Sequence, residues 1–176
     1  MLYLDACALA KRYLHEGRSS QRMKEITGRS KRWGGLIVSS FVEIEVASAI
    51  AKAAREYRNP LGRDEALRAV PRTVDDFQRA YRSGAFTIVR ADDAIVDAGI
   101  RELRTRPQQE IGAGDAIHLA TAAGIVADTG TPLVFVTADQ GLYDAARCHG
   151  LKVFNPNYEG ADRLAALLDC QRAHPT

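Results

Sequence analysis

The sequence predicts an α/β domain, a three-layer α/β/α sandwich on a central, mostly parallel five-stranded sheet. Three observations carry this. Five short apolar runs are spaced along the chain, and stretches of helix-forming composition separate them. The runs are continuously apolar rather than alternating, which is the pattern of parallel strands covered on both faces. The chain has 176 residues, 46% of them hydrophobic, and shows no internal repeat, low-complexity tract or linker. Residues 1–176 therefore read as one domain with a substantial core.

Leu2-Tyr3-Leu4 is the first run, and Asp5 follows it directly. Ala6, Ala8, Leu9, Ala10, Lys11 and Arg12 then favour a helix. Asp5 thus stands at a strand end and at a helix N-cap. Residues 20–27 form a short helix closed by Gly28, and Gly34-Gly35 make a turn. Leu36-Ile37-Val38 is the second strand, with Ser39 and Ser40 as caps for the helix SFVEIEVASAIAKAAREY. Val42, Val46, Ala49, Ile50 and Ala53 share one stripe of that helix, and the turn Asn59-Pro60-Leu61-Gly62 ends it. Residues 63–83 carry Leu67, Val70, Val74, Phe77 and Tyr81 at amphipathic spacing, and Pro71 predicts a kink or break among them.

Phe86-Thr87-Ile88-Val89 is the third strand. Asp92 and Asp93 open a helix, complementing its dipole, with Ile95, Val96, Gly99, Ile100 and Leu103 as its apolar face. After the polar loop 108–114, GDAIHLATAAGIVAD is an alanine-rich helix that begins at or just before Asp115 and is apolar enough to be buried on most sides. PLVFV, residues 132–136, is the most hydrophobic strand; Thr137-Ala138-Asp139 and a helix over 141–149 follow. Leu151-Lys152-Val153-Phe154 is the last strand, and residues 160–171 close the chain with a helix.

Composition excludes more than it selects. The net charge of +2, with 26% charged residues, does not by itself mark a nucleic-acid binder. The distribution is more telling: Lys11-Arg12, Arg29 with Lys31-Arg32, Arg55 with Arg58, and Arg79 with Arg82 all lie in the first half. Each is by default a solvated face, yet basic clusters bordering an acidic pocket suit a polyanion that must reach a metal. Cys7, Cys148 and Cys170 are odd in number and show no CxxC spacing, so no disulfide framework or zinc site is implied. No basic segment with a long apolar run opens the chain, and no stretch nears the roughly 18 apolar residues of a membrane span. A cytoplasmic protein with no membrane partner is expected.

Several chemistries lack their motifs: there is no GxxxxGK[ST], no GxGxxG after the first strand and no GxSxG. A haloacid dehalogenase-type phosphatase needs a second aspartate two positions after Asp5, where this chain has Cys7. Cys7 reads as a small buried cysteine. His118, three residues after Asp115, reads as a satisfied core histidine or as one that orients Asp115, rather than as a metal ligand.

What remains is acidic. Asp5, Asp115 and Asp139 each stand where a strand or loop passes into a helix, and Glu43 or Glu45 lies early in a helix after a strand. The two glutamates are about 200° apart around that helix, so one site cannot use both, and periodicity leaves the choice open. In a parallel sheet these junctions gather at the carboxyl edge. Four carboxylates there repel one another unless a cation holds them, and oxygen donors without His or Cys favour Mg²⁺ or Mn²⁺ over zinc. Four unrelated helix caps are the competing account.

The motifs, in order and over nearly the whole chain, resemble those of PIN-domain ribonucleases, specifically the VapC-type toxins of toxin–antitoxin pairs. LDACALAKRY resembles the opening strand and its aspartate, here Asp5. SSFVEIEVASAIAK resembles the second motif, whose acidic residue directly precedes V-x-S-A, and this selects Glu45. GDAIHLATA resembles the third and places its aspartate at Asp115; VFVTADQGLYDAARCHGLKVFNP resembles the fourth, with Asp139 and its hydroxyl partner Thr137. The family usually has Ser or Thr two residues after the first aspartate, where this chain has Cys7.

The resemblance implies a PIN-like three-layer sandwich and a Mg²⁺- or Mn²⁺-dependent endoribonuclease. Asp5, Glu45, Asp115 and Asp139 would be the metal ligands, with Thr137 supporting them. It also implies a cognate VapB-like antitoxin whose segment covers the acidic pocket and places an arginine among the carboxylates. Such toxins are often homodimers; residues 20–27 and 63–83 are the expected partner surfaces. Two rivals stand beside this reading: a catalytically silent PIN-like module that binds RNA or protein, whose mark would be loss of a core carboxylate, and a hydrolase of small phosphate esters, which would need the aspartate pair this N-terminus lacks.

Overall fold

The computed structural model describes residues 1–56 and 62–172. Strands β1 (Leu2–Leu4), β2 (Leu36–Ser39), β3 (Thr87–Val89), β4 (Val134–Val136) and β5 (Lys152–Phe154) form one parallel sheet in the order β3-β2-β1-β4-β5. Tyr3 lies in register with Ile37 on one side and with Phe135 on the other. The helices among the described residues are α1 (Ala6–Ala10), α2 (Arg18–Gly28), α3 (Val42–Arg55), α4 (Arg63–Arg82), α5 (Asp93–Thr105), α6 (Ala113–Thr129), α7 (Gln140–Cys148) and α8 (Ala161–Arg172). None is long and apolar enough to cross a membrane.

Successive strand residues point to opposite faces, and both faces are covered. Leu2, Leu4, Leu36, Val38, Val134, Val136 and Phe154 join a core with Leu9, Met23, Val42, Val46, Ile50, Phe77 and Leu164. Tyr3, Ile37, Phe135 and Val153 join a second core with Leu119, Ala122, Leu142, Ala145 and Ala146. Burial on both faces is why the strand sequences are continuously apolar. Tyr3 stacks on Phe135 with ring centroids 5.2 Å apart and planes 16° from parallel. The predicted three-layer sandwich is the observed one.

Three local expectations are corrected. Pro71 does not break its helix: α4 runs from Arg63 through Pro71 to Arg82. Pro71 and Leu67, one turn before it, are both exposed, so the carbonyl that loses its amide partner lies on the solvent side, where water serves it. The third strand is an exposed edge, with Thr87 and Ile88 facing out. The predicted apolar face of α5 is not buried either: Val96, Ile100 and Leu103 are exposed, and only Gly99 is buried. That helix packs on α6 through Gly99, where an added Cβ would lie 3.4 Å from the Ala116 carbonyl carbon; close backbone approach replaces large side chains. In the two expected partner surfaces, Met23 and Ile26 of α2 and Phe77 and Tyr81 of α4 face the core and Leu67 of α4 is exposed; Phe41, Ile44, Ile88 and Ile100 are exposed elsewhere. Of the predicted turn at 59–62, residues 59–61 lie outside the described residues, and Gly62 caps α4 at φ 87°.

Phe77, wholly buried on α4, packs edge-on against Tyr13 beyond α1. Phe77→Ala should cost about 3–5 kcal/mol. The cost should appear as a lower denaturant midpoint at unchanged slope.

Candidate functional site

The site starts from the ladder between β1 and β4. Asp5 N–H donates to the Val136 carbonyl at 3.1 Å and so extends the pairing one residue beyond the strand. The Asp5 side chain, 1% exposed, then turns back on both oxygens. Oδ1 accepts from the Ala8 N–H at 2.7 Å, capping α1, and Oδ2 accepts from the Thr137 hydroxyl at 2.6 Å. Thr137 is itself buried, with its N–H on the Phe154 carbonyl at 3.1 Å. Its Oγ1 accepts from the Asp139 N–H at 3.0 Å. Asp139 caps α7 through Oδ1, which accepts from the Leu142 N–H at 2.8 Å. The first and fourth motifs are thus one hydrogen-bonded unit.

The second and third motifs meet in the same way. Glu45 and Glu43 diverge on α3. Glu43 Oε1 accepts from Gln78 at 3.2 Å and Arg82 at 3.4 Å on α4. Glu45 faces α6 instead, its Oε2 lying 2.7 Å from His118 Nε2. Asp115 is in the first turn of α6, where its Oδ2 accepts from the Gly112 N–H at 2.8 Å. His118 Nδ1 lies 2.9 Å from the Tyr3 hydroxyl. Burial pushes the Tyr3 hydroxyl above its ordinary value, so it stays protonated and able to donate.

Burial and neighbouring charge shift several of these groups. Burial, first of all, pushes Asp5 up to about 6, and Asp115 adds to the rise; His118, the Thr137 hydroxyl and the Ala8 N–H oppose it. Asp115 is also raised, by burial and then by Asp139 and Glu45, against the Gly112 N–H and His118. Cys7 is pushed up to about 12 by the protein enclosing it and by Asp5, Asp115, Asp139 and Glu45 together. Cys7 is not the buried cysteine expected from its size. Its neighbours Ala6 and Ala8 face the core, and the thiol reaches solvent. It lines an open cleft of about 270 Å³ with Lys11, Glu16, Lys52, Glu56 and Asp139. Lys11 pairs with Glu16 at 2.5 Å and Lys52 with Glu56 at 3.8 Å.

All four sequence-derived carboxylates therefore act on one thiol at the carboxyl edge of the sheet. Among the described residues, no three His, Cys, Asp or Glu side chains form a ready-made metal cage. The donor chemistry nevertheless fits a hard divalent cation: the set is all oxygen, and beside the effect of burial Asp139 and Glu45 raise Asp115 while Asp115 raises Asp5. Among the described residues, Glu45 Oε1, Asp115 Oδ1 and Asp139 Oδ2 take no hydrogen bond. Sequence reasoning missed the link from Tyr3 through His118 to Glu45. In the sequence His118 stands out only by its spacing from Asp115, whereas its partner lies 73 residues away, and no local spacing reports such a contact.

No family model matches the sequence, and no curated protein matches it. Solved structures do. The crystal structure of FitAcB from Neisseria gonorrhoeae aligns with a TM-score of 0.58 at 19% identity, over 90% of this chain and 100% of that one. PAE2754 from Pyrobaculum aerophilum aligns with a TM-score of 0.51, also at 19% identity, over 99% of this chain and 91% of that one. At this identity the likeness shows the fold alone, the PIN-like α/β/α sandwich.

The Asp5 shift has a definite sign. Folded Asp5 keeps its proton up to about pH 6, whereas an ordinary aspartate releases it near 3.8. The folded state thus binds more protons between those values, and stability falls as pH rises through them, by about 3 kcal/mol at most. Denaturant unfolding in EDTA from pH 4 to 7 should show this decline in the wild type. Asp5→Asn should flatten it, gaining on the wild type as pH rises.

Proposed function

We propose that the chain is a Mg²⁺- or Mn²⁺-dependent endoribonuclease, the toxin of a type II toxin–antitoxin pair. What supports the proposal is geometry: Asp5 is joined through Thr137 to the Asp139 N–H, and Glu45 is joined to His118 on the helix whose first turn carries Asp115, at the edge where open parallel sheets bind their ligands. In this reading those four carboxylates hold the metal. Bound there, such an ion lowers the pKa of a water and offsets charge building on the scissile phosphate. The protein's own part is to hold the carboxylates still. Thr137 fixes Asp5 and the backbone ahead of Asp139; the start of α6 fixes Asp115; His118 fixes Glu45. Lys11 and Lys52 border the cleft, where they can meet RNA phosphates.

The partner half of the proposal rests on the motif resemblance and on the likeness to FitAcB. A VapB-like antitoxin would silence the site by covering the acidic cleft, and the toxin would act as a homodimer in the cytoplasm. The competing reading is a PIN-like module that binds RNA or protein without cutting. What favours it is the absence, among the described residues, of three side chains drawn onto one point.

Cleavage of a mixed RNA pool separates the two. Purified protein, freed of its partner, should cut at discrete positions with Mg²⁺ or Mn²⁺. EDTA should abolish cutting, and Asp115→Asn should lower the rate about 100-fold or more, since a metal site contributes several kcal/mol. Equal cutting in EDTA would overturn the metal mechanism. No cutting by folded protein with either metal would transfer the conclusion to the binding module.

A further inference from the structure

We propose that His118 is a positioning residue, which holds the Glu45 carboxylate in a fixed orientation at the acidic edge by bridging it to Tyr3. The inference deepens the proposed function and rests on Glu45 being a metal ligand. His118 is 2% exposed and engages both ring nitrogens, Nε2 with Glu45 and Nδ1 with Tyr3. An ionised carboxylate only accepts, so Nε2 carries a hydrogen and donates it to Glu45, while Nδ1 meets the Tyr3 hydroxyl.

The ring has no freedom to swing. Tyr3 belongs to the central strand, is wholly buried, stacks on Phe135, and meets the imidazole edge-on with centroids 5.9 Å apart. A chain of contacts therefore runs from the middle of the sheet to a side chain that is 26% exposed. A purely structural histidine would be expected to bond within the core; this one directs its donor outward, to a carboxylate beside Asp115.

A second contact closes on the same carboxylate. A Cβ added to Gly114 would lie 2.1 Å from Glu45 Oε1, so that oxygen rests against the first turn of α6 where only glycine leaves room. Gly114 and His118 are four residues apart and share a face of the helix. Glu45 is thus held on one oxygen by the ring and limited on the other by the helix backbone. Ordering so flexible a side chain otherwise costs conformational entropy, and holding it in place beforehand removes that cost from metal binding.

Two variants divide the ring's roles. In His118→Gln the amide can still donate toward Glu45; in His118→Asn the shorter amide reaches only the Tyr3 side. Mn²⁺ affinity of the full chain is measured by calorimetry, with unfolding midpoints in EDTA as a check on folding. His118→Asn should weaken Mn²⁺ binding about 10–100-fold, the usual effect of losing a group that orients a ligand, and His118→Gln should restore most of it. Gly114→Ala, which displaces Glu45 without touching the ring, should also weaken binding and decides the matter if His118→Asn does not fold. The proposal is overturned if His118→Asn, or in its place Gly114→Ala, binds as tightly as the wild type, or if His118→Gln is as weak as His118→Asn. Weak binding by Glu45→Gln beside any of these results leaves the metal reading standing. Wild type and Glu45→Gln binding Mn²⁺ alike would remove Glu45 from the metal site, and the role of His118 with it.

Discussion

The pairing of β1 with β4 is the contact on which the site depends. The paired residues of these strands are 132 apart in sequence yet lie side by side at the centre of the sheet, with Leu2, Tyr3 and Leu4 in register with Val134, Phe135 and Val136. On one side of β1 lie β2 and β3, which follow it in sequence, and on the other lie β4 and β5 from the last third of the chain. Connections on the two sides therefore leave in opposite directions, and a crevice opens at the carboxyl ends. A register slip of one residue would turn Tyr3 and Phe135 to the other core. It would also part the Asp5 N–H from Val136 and Asp5 Oδ2 from Thr137.

That placement costs stability. Asp5 is almost fully buried, and ionising it there is opposed by burial and by Asp115. Two hydrogen bonds and His118 offset part of the cost without cancelling it. Asp115 is pushed the same way by Asp139 and Glu45. A fold selected for stability alone would replace such groups with apolar side chains of similar size. Positive charge brought to such a cluster would offset the repulsion among its carboxylates.

Much of this is legible in the sequence, and the reasons can be given residue by residue. The strands are legible because burial on both faces leaves continuous apolar runs, and Asp5, Asp115 and Asp139 because each stands at a junction into a helix. The contents of α5 and β3 are not. An amphipathic pattern states that Val96, Ile100 and Leu103 share a face, but the packing partner is chosen by Gly99, whose missing side chain lets α6 approach. Glu45 could not be told from Glu43 by period, because the distinction is tertiary: His118 receives one, and Gln78 with Arg82 receives the other. The motif resemblance selected Glu45 because a family pattern already contains that tertiary information.

Position 7 shows how the chain accommodates a departure from that pattern. A hydroxyl is usual there, and its loss would matter if Asp5 needed it. Asp5 does not: Oδ1 is taken by the Ala8 N–H and Oδ2 by Thr137, whose hydroxyl is delivered from across the sheet by β4. The thiol is left facing the cleft, where enclosure and four carboxylates push its pKa up to about 12. At neutral pH it is therefore uncharged, and it adds nothing to the repulsion among the carboxylates. A nucleophilic cysteine needs an electropositive setting that favours the thiolate. Cys7 has the opposite setting, so covalent thiol chemistry is disfavoured at this edge, and the carboxylates are the groups there with chemistry to offer at neutral pH.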